Sequence, residues 1–141
     1  MKDQLVNYTK TVKISTNAQQ AFLALTEQLH LWWGKTSNCE FKTDGHFTIH
    51  FENEYWWAFK ILEYIPNKEL VWKCISGEPE FNKEWIGNIL HWTIEEDNST
   101  STVRFEQTGL TKELHCFDVC SSTWEMFIGE NLKHFLEKKT N

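Results

Sequence analysis

Residues 85–108, WIGNILHWTIEEDNSTSTVRFEQT, read as two strands joined by a polar turn. From Trp85 to Glu96 the apolar Ile86, Leu90, Trp92 and Ile94 share one face, and from Thr100 to Thr108 Val103 and Phe105 do the same. A period of two marks a half-buried strand, and Asp97-Asn98-Ser99 supplies residue types that reverse a chain through their own local hydrogen bonds. The expectation is an antiparallel hairpin with one face in the core and one in water.

The same pattern continues upstream. Residues 69–75, ELVWKCI, follow the turn Pro66-Asn67-Lys68, and residues 55–65, YWWAFKILEYI, precede it. Phe47, Ile49 and Phe51 alternate with His46, Thr48 and His50. Before them Asp44-Gly45 reads as a two-residue hairpin turn whose positions tolerate positive φ, with a short arm at Cys39 to Lys42. Lys35 to Asn38 and Gly77 to Asn82 read as loops, and Tyr8 to Ile14 as the first strand.

Two segments break the period of two. After Ser15-Thr16-Asn17, which offers N-caps, Ala18, Ala21, Phe22, Leu25 and Leu29 form one helical face ending near Trp32-Trp33-Gly34. After Asp118 or Ser121, Trp124, Phe127, Ile128, Phe135 and Leu136 form the stripe of a long final helix, with Leu132 at its edge. Strands in a run followed by a helix give an α+β fold rather than a parallel α/β one. The order is one strand, two short helices, about six antiparallel strands and the long C-terminal helix, in one domain spanning residues 1–141.

Composition limits the function. Fourteen Lys and Arg against twenty Asp and Glu leave a net charge of -6, which repels phosphate backbones and argues against nucleic acid as a partner. No segment has the ~20 apolar residues of a membrane span, and the first residues lack the pattern of an export signal. A cytoplasmic protein with free thiols at Cys39, Cys74, Cys116 and Cys120 is expected. Eight Trp, ten Phe and three Tyr are the unusual feature, each ring able to bury ~200 Å².

The motifs of common chemistries are absent, with no phosphate-binding loop, dinucleotide fingerprint, nucleophile elbow or H-E-x-x-H. His46 and His50 share a strand face, as the solvated side of a sheet would place them, and a metal pair would need a third ligand. Cys116 and Cys120 share a helix face without a C-x-x-C partner. No metal and no cofactor are expected.

The punctuation of the chain is informative as a set: Ala18-Phe22-Leu25, Trp32-Trp33-Gly34, the Gly45 turn, the run from Pro66 to Trp72, Thr102-Val103-Arg104-Phe105 to Gly109-Leu110, and Trp124 with Asn131-Leu132-Lys133. These marks, over roughly residues 8 to 138, resemble the SRPBCC superfamily, also called START-like or birch-pollen-allergen-like. Within it the chain looks most like the branch named for the activator of Hsp90 ATPase homologue. It departs from the branch at Thr123, where Gly is frequent, and at Gln107, where His is common.

The resemblance implies a helix-grip fold, a curved sheet wrapped around the C-terminal helix with a cavity between. The implied lining is Trp32, Trp33, Phe47, Ile49, Phe51, Trp57, Phe59, Trp72, Trp92, Phe105, Trp124 and Phe127. Gln107, His91 and Glu106 are the candidates for orienting polar groups. The implied function is binding of a small hydrophobic or aromatic molecule, including lipid-like ones, without catalytic residues, by a monomer or homodimer. Two alternatives are a co-chaperone with an Hsp90-type ATPase as partner, and a polyketide cyclase or dehydratase. In the eukaryotic activator a separate chaperone-binding domain precedes this one, and 141 residues leave no room for it.

Overall fold

In the computed structural model, which describes residues 6–139, the hairpin of residues 85–108 forms with a shorter first arm. Strand β6 (Ile89–Asp97) pairs antiparallel with β7 (Thr100–Thr108), setting Leu90 against Gln107, Trp92 against Phe105 and Ile94 against Val103. Residues 85–88 are turn instead of strand. Trp85 N–H donates to the Asn82 carbonyl at 3.2 Å, Asn88 N–H to that of Trp85 at 2.7 Å, and Gly87 takes φ +95. Ile86, expected on the inner face, is therefore 48% exposed.

Around this hairpin lie β1 (Tyr8–Ile14), α1 (Ala18–Ala24), β2 (Lys35–Glu40), β3 (His46–His50), β4 (Trp56–Ile65), β5 (Glu69–Glu78) and α2 (Glu80–Lys83). A 3-10 turn at Leu29–Leu31 follows α1, so the two short helices after the first strand are present. The seven strands form one antiparallel sheet in the order β1-β7-β6-β5-β4-β3-β2. The loop expected at Lys35–Asn38 is part of β2, with a bulge between Ser37 and Glu40 where Asn38 takes φ 51.

At the β2–β3 turn Asp44 has φ 68, as expected, but Gly45 is required for another reason. A Cβ at residue 45 would lie 1.9 Å from the Glu40 carbonyl oxygen, so the turn is closed by close backbone approach.

The final helix runs as α3 (Phe117–Met126), a π-helical stretch Phe127–Leu132 and α4 (Lys133–Lys139). Its buried stripe is Cys120, Trp124, Ile128, Leu132 and Leu136, one residue in every four. In a regular helix each step of four overshoots a turn by about 40°, which would carry the stripe off the core. The wider π turn absorbs that drift, so Leu132 is fully buried rather than at the edge. The helix packs on the concave inner face of the sheet, where Ile14, Phe47, Phe59, Trp72, Trp92 and Phe105 are at most 2% exposed.

Candidate functional site

Between sheet and helix, five indoles stand in one column. Trp72 of β5 stacks on Trp33 with centroids 6.1 Å apart, Trp33 lies 5.2 Å from Trp124 of α3, Trp124 stacks on Trp85 at 5.7 Å, and Trp85 on Trp57 of β4 at 3.9 Å. Phe47, Phe59 and Phe105 close around the inner end, and Trp92 meets Trp124 edge-on at 6.0 Å. Offset stacking and edge contacts are the favoured arrangements of aromatic quadrupoles. The inner part of the space that a cavity was expected to occupy is thus filled with side chains.

A void remains at the outer end of the column. It has a volume of about 230 Å³ and is lined by Trp33, Phe51, Tyr55, Trp57, Asn82, Trp85, Val119, Cys120, Thr123, Trp124 and Phe127. Two partnerships fix its walls. Trp57 Nε1–H donates to the Asn82 carbonyl at 2.9 Å while Asn82 Nδ2 donates to the Trp56 carbonyl at 3.1 Å, tying β4 to α2. Trp85 Nε1–H donates to Cys120 Sγ at 3.3 Å, tying the segment after α2 to α3.

Of the expected lining, Trp33, Phe51, Trp57, Trp124 and Phe127 reach this pocket. Phe47, Ile49, Phe59, Trp72, Trp92 and Phe105 are core instead. Trp32 turns to the opposite end of α3–α4, where its Nε1–H donates to the Ala24 carbonyl at 2.6 Å. There it borders a wide groove with Lys35, Glu130, Lys133 and Glu137, open to solvent and rimmed by charge.

The three polar candidates are not brought together. Gln107 is fully buried, accepting from Trp124 Nε1–H and donating to Asn88 Oδ1, both at 2.9 Å, so its amide is consumed by the core. His91 and Glu106 face each other on the outer side of the β6–β7 pair, with His91 Nε2 2.5 Å from Glu69 Oε2 and Glu106 accepting from Asn7 Nδ2 at 3.2 Å. His91 lies outside because its neighbours Leu90 and Trp92 are inside and the strand has a period of two.

Sequence reasoning missed Tyr55, Asn82, Trp85, Val119, Cys120 and Thr123. Part of the signal was present: Cys120, Thr123, Trp124 and Phe127 stand at i, i+3, i+4 and i+7 of one helix face. Trp85 was hidden by its assignment to a strand.

Burial pushes the Cys74 thiol up to about 12, against a smaller lowering from a backbone hydrogen bond at Ser76. The neighbouring Cys120 thiol holds Cys116 below its ordinary range, and the Cys116 thiol together with burial holds Cys120 well above its own. Among the described residues no cluster of His, Cys, Asp and Glu could hold a metal ion, and no helix is long and apolar enough to cross a membrane.

Comparison with solved structures gives the same architecture. The chain is similar to the Aha1 dimer from Colwellia psychrerythraea, with 24% identity, a TM-score of 0.79, and coverage of 94% of this chain and 96% of that one. It is similar to a Mesorhizobium loti protein at 19% identity and TM-score 0.77, covering 95% and 99% of the two chains. A protein from the dynemicin biosynthetic locus gives 16% identity and TM-score 0.76, covering 98% of this chain and 49% of that one. A search of curated proteins found no match. The family model described as activator of Hsp90 ATPase homolog 1-like protein matches residues 15–137, nearly the whole helix-grip fold from the end of β1 to α4. The chain belongs to that family, within the SRPBCC superfamily.

Proposed function

We propose that the protein binds a small, planar, apolar molecule in the pocket walled by Trp57, Trp85, Trp124, Phe51 and Phe127. The observation that carries this reading is an apolar void of about 230 Å³ left open beside an otherwise filled aromatic core. Apolar cavities of ~150 Å³ hold benzene, while drug-sized pockets start near ~300 Å³, so the volume suits one or two fused rings rather than a lipid chain. The indole N–H groups of Trp57, Trp85 and Trp124 are all engaged by the protein, so these rings offer a ligand apolar surface and no donor. Burying ~250 Å² of ring surface at ~25 cal/mol/Å² gives ~6 kcal/mol, a Kd of the order of tens of micromolar.

The test is titration with naphthalene followed by NMR of the tryptophan indole N–H resonances. Saturable shifts at Trp57, Trp85 and Trp124, lost at least tenfold in affinity in Thr123→Phe, are expected. Thr123 lines the void and its hydroxyl only donates to the Val119 carbonyl at 2.7 Å, so a ring there fills the pocket. Absence of saturation, or unchanged affinity in a Thr123→Phe protein that still melts cooperatively, would overturn the reading.

The family description supports a second reading, a co-chaperone acting on an Hsp90-type ATPase. It predicts a raised ATPase rate of an Hsp90-type chaperone with added protein, and an unchanged rate counts against it. A cyclase or dehydratase would need an acid–base group facing the pocket, and His91 lies on the far side of the sheet from it.

A further inference from the structure

We propose that the ligand of the aromatic pocket is a flat ring carrying a delocalised, N–H-bearing cation, of the aromatic amidine or amino-heterocycle class. This rests on the pocket reading above and adds one polar group to its ligand.

The wall holds a buried acceptor without a donor. Asn82 is 1% exposed and lines the void. Its Nδ2 donates to the Trp56 carbonyl at 3.1 Å, and since a carbonyl accepts only from the amide nitrogen, that bond fixes which end of the side chain is the oxygen. Among the described residues no donor reaches Asn82 Oδ1. Buried polar atoms in native proteins are paired, so the group of a bound molecule that suits this oxygen is an N–H or O–H.

Most donors along the wall are already engaged. The indole N–H of Trp57 goes to the Asn82 backbone carbonyl, that of Trp85 to Cys120 Sγ and that of Trp124 to Gln107, and the Thr123 hydroxyl goes to the Val119 carbonyl. The remaining ones are the Trp33 N–H, on a ring that also borders the groove beside Lys35 and Glu130, and the hydroxyl of half-exposed Tyr55. Among the described residues the lining holds no Lys, Arg or His. A carboxylate or phosphate would leave water for a wall with few donors and no cation, which is the unfavourable case for burying a charge.

The charge around the pocket has the matching sign. Exposed Glu52, Glu54 and Asp118 are chain neighbours of the lining residues Phe51, Tyr55 and Val119, and among the described residues no cation pairs with any of the three. Lys83, next to Asn82, is held by Glu78 at 3.5 Å. These solvated carboxylates attract a cation in a salt-dependent way. A localised ammonium would lose its hydration shell in a lining where seven of eleven residues are aromatic. A charge spread over a conjugated plane is more weakly hydrated, packs flat against rings and keeps an N–H for Asn82 Oδ1.

The experiment compares naphthamidinium, naphthalene and naphthoate, one ring system with a cationic, an absent and an anionic substituent, by NMR titration of the protein at low salt. Affinity is expected in that order, the amidine about fivefold tighter than naphthalene and naphthoate about tenfold weaker. The Asn82 side-chain amide resonances should move with the amidine and stay in place with naphthalene. Naphthalene should displace the amidine, and Thr123→Phe should weaken it at least tenfold. The surface change Glu54→Gln with Asp118→Asn should narrow the gap between amidine and naphthoate, as should added salt. Naphthalene saturation with an amidine no tighter, with naphthoate its equal or with the Asn82 amide unmoved overturns this inference and leaves the pocket reading standing. Amidine binding that naphthalene does not displace and Thr123→Phe does not weaken is attraction to the acidic surface, and overturns it as well. Saturation by the amidine alone, at the pocket tryptophans and Asn82, sustains the cation site and sinks the reading of an apolar ligand. Saturation by none of the three sinks both.

Discussion

Gln107 is a polar side chain in a wall of aromatic rings, and it decides how two elements meet. Its amide oxygen takes the Trp124 indole N–H from α3, and its amide nitrogen donates to Asn88 at the start of β6. Asn88 is pressed in turn against Gly109, where a Cβ would sit 2.4 Å from its Nδ2 and the backbone φ is +108. Gln107→Leu keeps the bulk but leaves the Trp124 N–H and the Asn88 amide without this partner. Each buried group left unpaired costs about 1–3 kcal/mol, so a loss of about 2–4 kcal/mol in urea unfolding is expected. Gly109→Ala should destabilise through the same neighbour, by strain at positive φ and by displacing Asn88, and a thermal melt reads it. Alternation along β7 puts Gln107 on the inner face with Val103 and Phe105, and that much is legible in the sequence. Its partner is a tryptophan 17 residues later on another element, a pairing that no local pattern carries. The same alternation places His91 outside once Leu90 and Trp92 are taken as inside, so that placement could have been read from the residues themselves.

The last helix shows where a regular period misleads. Buried residues every fourth position from Cys120 to Leu136 would rotate about 160° around a 3.6-residue helix, and the π stretch Phe127–Leu132 removes the excess. Deleting Gly129 shortens that repeat by one and lets a plain α-helix keep Leu132 and Leu136 on the core side. Inserting an alanine after Gly129 lengthens it further and turns both leucines away. The insertion is expected to cost about 3–6 kcal/mol, the burial of two leucine side chains, and the deletion much less. Comparable melting temperatures for the two variants would remove the π turn from this account. From sequence, the composition of 127–132 gives no sign of a widened turn, which is why Leu132 reads as an edge residue. The strands were legible almost to the residue at β1 and β7 because their periods are strict. The candidate site was half legible, because side chains that fill a core and side chains that line a void carry the same aromatic pattern.

Across the whole molecule, the long helix is held to the first strand and its exit by two carboxylates. Glu125 takes Lys10 Nζ at 2.7 Å and the Tyr8 hydroxyl at 2.5 Å, and Glu137 takes Lys133 Nζ at 2.6 Å and the Ser15 backbone N–H at 3.1 Å. The hydrogen bonds from Lys10 and then Tyr8 hold the Glu125 carboxyl below its usual range, and Lys133 with the Ser15 N–H does the same for Glu137. A carboxyl depressed in the folded state binds its proton more readily when unfolded. Its contribution is therefore complete above the unfolded value, near ~4.3, and is lost as pH falls through the folded one. Both groups are largely solvated, so each is worth no more than an exposed ion pair, about 1 kcal/mol or less. The net charge of -6 acts in the opposite sense, since protonating carboxylates relieves self-repulsion on the way down from neutral pH. The wild-type melting profile alone mixes the two effects, and a difference separates them. Glu125→Gln should melt roughly 3 °C below wild type at pH 7, a gap that stays constant down to about pH 5 and closes below about pH 4. Raising salt should narrow the gap at pH 7, because the pair is exposed to screening. A gap that persists undiminished at pH 3 would mean that Glu125 acts through packing, and that the clasp between the last helix and β1 is not electrostatic.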